Sequence, residues 1–378
     1  MKFYCESNLL QKGISIVEKA IPSKSTLPIL ENIYIEILEN ELKFRGHNLE
    51  IGIENYINIE NVDAQGKILI KARTLSNLIS KLPNQKITFT IKDNKVQLKT
   101  NSVDLDLFGI NANEYPSFPE VENGVQLELS VEDLKDLIKM TIFSVSFDET
   151  KQFLSGILCK KEKNKLIFIS TDGFRLSLNK KKIISSQDDF SVIIPYKAVN
   201  EIYKIIQQVN SDTKIKINIS SNQVCFMMDK FVLVSRIIQG QFPDYHQVLP
   251  EETINSFTIS RKILLDACER ANIFASEAND IIRFAFNKKG LIITSQAPSL
   301  GDFKEKVDIN REKGEEDIKI AFNVKLLLDV LKHLESDDFR LEFNSQFSPC
   351  IIKEINNKEY IYILMPIKTN DFNEITND

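Results

Sequence analysis

The chain has 378 residues, with 48 Lys plus Arg against 53 Asp plus Glu, five cysteines and no tryptophan. A charged fraction of 27% beside a hydrophobic fraction of 43% excludes a disordered or collagen-like chain, and the length suffices for about two to four domains with cores of their own. The net charge of −5 speaks on its face against a nucleic-acid partner, but a sum says nothing about where the charges sit.

From the N-terminus, Met1-Lys2-Phe3-Tyr4-Cys5-Glu6 places an acid where a secretory signal would continue its apolar core. No later apolar run approaches the ~20 residues of a membrane span, so a cytoplasmic protein is expected. Cys5, Cys159, Cys225, Cys268 and Cys350 are odd in number and never in a CxxC spacing, which predicts buried reduced thiols rather than disulfides or a zinc site. His47, His246 and His333 are far apart, so neither a metal site nor His-based catalysis is expected.

Next along the chain comes a threefold repeat. Short strands at 2–5, 125–129 and 256–259 lead into amphipathic helices at 7–20, 131–143 and 261–275. A second set of strands leads into helices at 71–83, 196–209 and 323–334, with Ile70, Ile194 and Ile320 as the shared landmark. Strands beginning at Leu42, Leu166 and Leu291 each start nine residues after Ile33, Ile157 and Ile282. Glu114–Pro119 and Gln241–Tyr245 close the first two copies, which gives domains at 1–123, 124–251 and 252–378. Lys86–Ile91 and Lys214–Ile219 alternate with period two, as half-buried antiparallel strands do. Each copy therefore holds two helices and about eight strands, an α+β domain of antiparallel sheets with helices on one face. The last strand of copies two and three, Phe231–Ile238 and Tyr360–Met365, is apolar nearly throughout, whereas Val103-Asp104-Leu105-Asp106-Leu107 carries alternating acids, as a protected edge does.

The second helices are locally basic. Residues 71–83 hold Lys71, Arg73 and Lys81 without an acid, and Lys197/Lys204 and Lys325/Lys332 stand seven apart on one helix side. Arg73 and Lys197 occupy the same place, where the third copy is expected to have Asn323. Lys12, Lys19, Lys135, Lys139, Arg261 and Arg270 add charge to the first helices, mixed with Glu18, Asp136 and Glu269. Lys180-Lys181-Lys182 reads as a solvated turn. With no helix-turn-helix, zinc finger or RNP aromatic pair, any contact to DNA would go to phosphate and be sequence-independent.

Five stretches, Ser25–Leu30, Ser170-Thr171-Asp172-Gly173-Phe174-Arg175-Leu176, Phe242-Pro243-Asp244-Tyr245 with Val248-Leu249-Pro250, Ala321-Phe322-Asn323, and Tyr362–Lys368, lie in order on this repeat. Together they resemble the bacterial DNA polymerase III β subunit, the replicative sliding clamp, over residues 1 to about 368. The resemblance implies a head-to-tail homodimeric ring of six domains, helices lining the hole and sheets outside, that encircles duplex DNA and tethers the polymerase without catalysis, cofactor or metal. It implies a pocket for peptides of the polymerase catalytic subunit, the clamp loader and repair proteins at Leu154, Thr171, Gly173, Arg175, Leu176, Pro243, Val248, Ile363, Met365, Pro366 and Ile367. It puts the dimer contact on Leu105 and Leu107 facing Ile273 and Phe274 of the other subunit. It also adds Lys24 to the DNA-facing Arg73, Lys81, Lys197, Lys204, Lys325 and Lys332. Gln247 stands where many relatives have a basic residue, and a polar tail at 369–378 runs past the point where relatives often stop. Two other readings stay open: an enzyme using Asp172 of the Thr171-Asp172-Gly173 turn, and a triplicated ligand-binding protein.

Overall fold

A computed structural model describes residues 2–119, 121, 124–184, 188–314 and 317–369. Most of the polar tail therefore lies outside the described residues. Among them are six α-helices: α1 (Ser7–Glu18), α2 (Ala72–Ile79), α3 (Val131–Lys139), α4 (Tyr196–Ile206), α5 (Arg261–Ala275) and α6 (Val324–His333). None is long and apolar enough to cross a membrane. The chain divides into two compact units, one of residues 1–132, 185–188 and 197–238, the other of 133–184, 189–196 and 239–378, so the middle repeat contributes to both.

The first unit holds two antiparallel sheets. Five strands run in the order Glu60–Ala64, Lys2–Glu6, Lys86–Lys92, Lys95–Lys99, Asp104–Phe108, which leaves the acidic strand on an edge. Eight run in the order Val125–Ser130, Lys214–Ile219, Gln223–Met228, Phe231–Arg236, Ile51–Asn58, Glu41–His47, Asn32–Leu38, Gly66–Lys71. α1 buries Leu10, Gly13, Ile14 and Val17, spaced three and four apart, against this sheet. The approach is close enough to require glycine, because a Cβ on Gly13 would lie 2.6 Å from the Phe44 ring.

The second unit has a nine-stranded antiparallel sheet, Phe190–Pro195, Gly156–Glu162, Lys165–Thr171, Arg175–Lys182, Ile361–Leu364, Cys350–Glu354, Asp338–Phe343, Asn255–Ser260, Asn310–Lys313. A four-stranded one runs Gly301–Val307, Gly290–Ala297, Ile281–Asn287, Ile318–Asn323. α5 and α6 pack on each other over a core that includes Phe257, Phe284, Phe286, Phe322, Leu327, Leu331 and Phe339. Met140 belongs to the same core and Phe143 packs against it, so residues of the middle and third repeats share one interior. All five cysteines are free and buried.

Each large sheet joins consecutive repeats through its middle. Phe231–Arg236 pairs with Ile51–Asn58, Leu233 opposite Ile53, and Ile361–Leu364 pairs with Arg175–Lys182, Tyr362 opposite Ser177. The register also corrects three expectations. Ile33 faces Ile70 and Ile157 faces Ile194, but Ile282 faces Phe322, so Phe322 rather than Ile320 is the third landmark. Lys325, not Asn323, then matches Arg73 and Lys197; Asn323 instead caps α6, its side-chain oxygen accepting the Lys325 and Leu326 N–H groups at 3.0 and 3.3 Å. Lys180–Lys182 is the end of a strand, not a turn.

Candidate docking site and basic helix faces

The Thr171–Leu176 segment connects two neighbouring strands of the nine-stranded sheet through a tight turn. Gly173 sits at φ +95°, the left-handed region that suits glycine, with open space where a Cβ would stand. Asp172 Oδ1 accepts the Phe174 and Arg175 N–H groups at 2.9 and 3.0 Å, and its Oδ2 receives Arg175 Nε at 3.0 Å. Thr171 Oγ1 donates to the Arg175 carbonyl at 2.5 Å and accepts the Gly173 N–H at 3.1 Å. The carboxylate is thus committed to forming the turn, which removes the ground for reading it as a nucleophile.

Across the sheet, Leu176 is opposite Ile363 and Arg175 opposite Leu364. The chain leaves the strand with Met365 N–H donating to the Phe174 carbonyl at 2.9 Å and Ile367 N–H donating to the Ala321 carbonyl at 2.8 Å. Backbone pairing therefore brings Thr171, Gly173, Arg175 and Leu176 beside Ile363, Met365, Pro366 and Ile367. Leu154, Leu176 and Ile363 are buried; Met365, Pro366, Ile367 and Val248 are half-buried; Gly173 and Pro243 are exposed. The apolar residues of this set thus range from buried to half-buried, and Met365 adds a side chain that repacks easily. Pro243 and Val248 flank a one-turn helix at Tyr245–Val248, capped by Asp244, which accepts the His246 N–H at 3.1 Å and Gln247 Nε2 at 3.3 Å. A Cβ on nearby Gly240 would stand 3.5 Å from the Cβ of Phe153, so this segment runs beside Leu154.

Arg175 is only 9% exposed. Its Nη1 donates to Asp329 at 2.6 Å, its guanidinium carbon lies 5.8 Å from the Phe143 ring centre, and Phe143 stacks on His333 at 4.1 Å. Burial works against the charge, yet Tyr362, Asp329 and Asp172 outweigh it and hold the guanidinium above its ordinary pKa. Arg175 thus braces the turn against α6. Asp329, Phe143 and His333 escaped the sequence reading because nothing local announces a partner 154 residues away. Phe347 escaped it as well: like Phe174, which the turn aims outward, it is large, apolar and exposed, with Lys368 Nζ 5.9 Å from its ring centre.

Arg73, Lys197 and Lys325 each take the second position of the second helix of their repeat, and all three are exposed. Lys204 and Lys332 repeat one another a further seven residues on, whereas Lys81 lies past the end of α2 and Lys24 on an exposed loop. Lys204 is tied to Glu201 at 2.8 Å, Lys325 to Asp280 at 2.8 Å and Lys332 to Glu269 at 3.3 Å. Among the described residues, Lys24, Arg73, Lys81 and Lys197 have no acidic partner within 4.0 Å, so their charge faces solvent. Leu105 and Leu107 are half-buried on the edge strand of the first unit; Ile273 is exposed and Phe274 half-buried on α5 of the second.

Family models described as the N-terminal, central and C-terminal domains of the DNA polymerase III beta subunit match residues 1–119, 128–244 and 246–368. The chain is similar to the beta sliding clamps of Bacillus subtilis (29% identical) and Staphylococcus epidermidis (31% identical), covering 98% of itself and 100% of each relative. Among solved structures it is similar to a DNA polymerase sliding clamp from Bacillus subtilis, with a TM-score of 0.91, 28% identity and coverage of 98% and 99% of the two chains. The DNA polymerase III subunit beta from Pseudomonas aeruginosa gives a TM-score of 0.90, 26% identity and coverage of 98% and 100%.

Proposed function

We infer the working of the molecule from one premise: the chain belongs to the DNA polymerase III beta subunit family, the non-catalytic sliding clamp that confers processivity on the polymerase. In this reading the three repeats, 1–123, 124–251 and 252–378, are its domains, and two copies close head to tail into a cytoplasmic ring around duplex DNA. The second helices face the duplex. The observation that carries the DNA contact is the recurrence of a basic residue at the second position of α2, α4 and α6. Charges repeated around a ring meet phosphates that repeat along the duplex, so neutralisation holds the DNA without favouring any register and the protein slides.

The homodimer is supported by strand bookkeeping. Repeat two pairs its last strand with repeat one, and repeat three with repeat two, while the corresponding strands Asp104–Phe108 and Gly301–Val307 end their sheets. Leu105, Leu107, Ile273 and Phe274 belong to that joint. The apolar site around Leu154, Thr171, Gly173, Leu176, Pro243, Val248, Ile363, Met365, Pro366 and Ile367, braced by Arg175, receives short peptides of the polymerase catalytic subunit, the clamp loader and other replication and repair proteins. The half-buried apolar side chains of Val248, Met365, Pro366 and Ile367 support a partner that inserts apolar side chains of its own.

The test is topological. The protein loaded onto nicked circular DNA by a clamp loader stays bound through washing and is released when the circle is linearised. Retention on the linear product overturns the encircling reading.

A further inference from the structure

We infer that the first unit holds a binding site for a small amphipathic carboxylate, in a cavity between α1, the end of α4 and the Met228–Phe231 turn, where Asn55 and Lys12 receive the anion. The inference does not depend on the clamp reading. It rests on a difference between two equivalent places in the repeat. Leu233 faces Ile53 and Tyr362 faces Ser177, so Asn55 and Asn179, each two residues further on, are counterparts. Asp136 is the sixth residue of α3 and Lys12 the sixth of α1, so these two are counterparts as well.

In the second unit the pair is complete. Asn179 is fully buried, and its amide donates to the Asp136 carboxylate at 2.9 Å and to the Asp136 carbonyl at 3.3 Å. Close by, Phe143 stacks on His333 and Lys139 pairs with Glu335, tying the α3 segment to the α6 segment. In the first unit the same positions cannot do this. Ser15 and Lys19 stand where the second unit has Lys139 and Phe143, and Ile205 stands where it has His333. Lysine at position 12 leaves Asn55 without a carboxylate. Asn55 is only 7% exposed, yet its side-chain amide makes no hydrogen bond among the described residues, a state that buried amides rarely keep without a partner from outside the chain.

What remains around Asn55 is a cavity of about 450 Å³, a size typical of small-molecule sites. Ile16, Ile205, Val209, Met228 and Phe231 give it apolar walls, and Asn55, Lys12, Lys19 and Lys230 give it donors. The charges facing it are unequal. Lys19 lies 3.8 Å from Glu201, Lys230 lies 3.1 Å from Glu41, and Asp229 adds an exposed acid to the lining. Among the described residues Lys12 has no acidic partner within 4.0 Å. A ligand carboxylate held by Asn55 Nδ2 and Lys12 Nζ supplies the acceptor that Asp136 supplies from within the chain in the second unit. Its hydrocarbon body then covers the apolar walls, so the two halves of the ligand answer the two halves of the site.

Calorimetric titration of the full chain with decanoate as the probe tests this. Decanoate binds, and 1-decanol, which has the same body without the charge, binds about tenfold more weakly or less. Lys12→Asp installs the carboxylate of the second unit, which Asn55 bonds from within, and weakens decanoate by about tenfold or more while the chain melts no lower than wild type. Asn55→Leu removes the donor without changing the charge and weakens decanoate in the same direction. Met365→Ala leaves the affinity unchanged, which separates this cavity from the candidate docking site. The assignment is overturned if the wild-type chain does not bind decanoate, if the alcohol binds as well as the acid, or if Lys12→Asp and Asn55→Leu keep the wild-type affinity. Loss of decanoate binding in Met365→Ala overturns it too, by moving the ligand to the docking site.

Discussion

The unequal standing of the basic residues on the helix faces makes a quantitative prediction. Arg73 and Lys197 have no acid within 4.0 Å among the described residues, whereas Lys325 and Lys332 are held by Asp280 and Glu269 at 2.8 and 3.3 Å. Each phosphate neutralised contributes about 0.9 to the slope of log affinity against log salt, so Arg73→Gln with Lys197→Gln lowers that slope by up to about 1.8 per chain. For the two-chain ring that is a slope change of up to about 3.6, so between about 50 and 200 mM salt the wild-type protein loses up to roughly a hundredfold more affinity than this variant. Removing both ion pairs whole, with Asp280→Asn, Lys325→Gln, Glu269→Gln and Lys332→Gln, leaves the net charge unchanged and changes the slope by less than about 0.5, because a lysine already neutralised releases few counterions. Anisotropy of a labelled duplex titrated across a KCl series measures both slopes. The reasoning fails if the first variant keeps the wild-type slope, or if the charge-neutral variant lowers it as far as the first.

Two further outcomes can be measured directly. Met365→Ala combined with removal of Pro366 to Asp378 abolishes binding of a polymerase-derived peptide in a calorimetric titration while the dimer mass survives; undiminished affinity would reject the docking assignment. His47 is buried between Tyr115 and Phe118, with ring centres at 5.2 and 6.5 Å, and burial pulls its pKa below the ordinary 6.5. The folded protein then binds fewer protons than the unfolded chain, so this group costs stability as pH falls below about 6.5 and nothing above it. A proton NMR titration giving His47 a pKa at or above the free-histidine value would contradict that placement.

The parts of the fold that the sequence disclosed are those written in local periods: the threefold repeat, the six amphipathic helices and the alternating strands. The landmark of the third repeat slipped by two residues because Ile320 and Phe322 share a face of one strand, and alternation cannot tell i from i+2. Strand partners between repeats were not legible, since nothing in Ile51–Asn58 specifies Phe231–Arg236. In the candidate docking site, the turn chemistry of Asp172 and Gly173 was readable, but the engagement of Arg175 with Asp329 depends on tertiary placement. The same holds for the lysines, whose basic stripe is visible in the sequence while the acids holding Lys325 and Lys332 arrive from distant segments.

The strand joints within the chain also set an order of events during synthesis. Ile53 waits for Leu233, 180 residues later, and Ser177 waits for Tyr362, 185 residues later. At about 5–20 residues per second, each receiving strand stands unpaired on one side of a growing chain for roughly ten to forty seconds. An open strand edge invites the wrong neighbour for as long as it stays open. The two receiving strands carry their own deterrents: Glu54 and Asn55 in one, Lys180 to Lys182 at the end of the other. In the folded chain Lys181 of that run is held by Asp136 at 2.8 Å, so a charge that discourages a wrong neighbour during synthesis ends in an ion pair once the fold is complete.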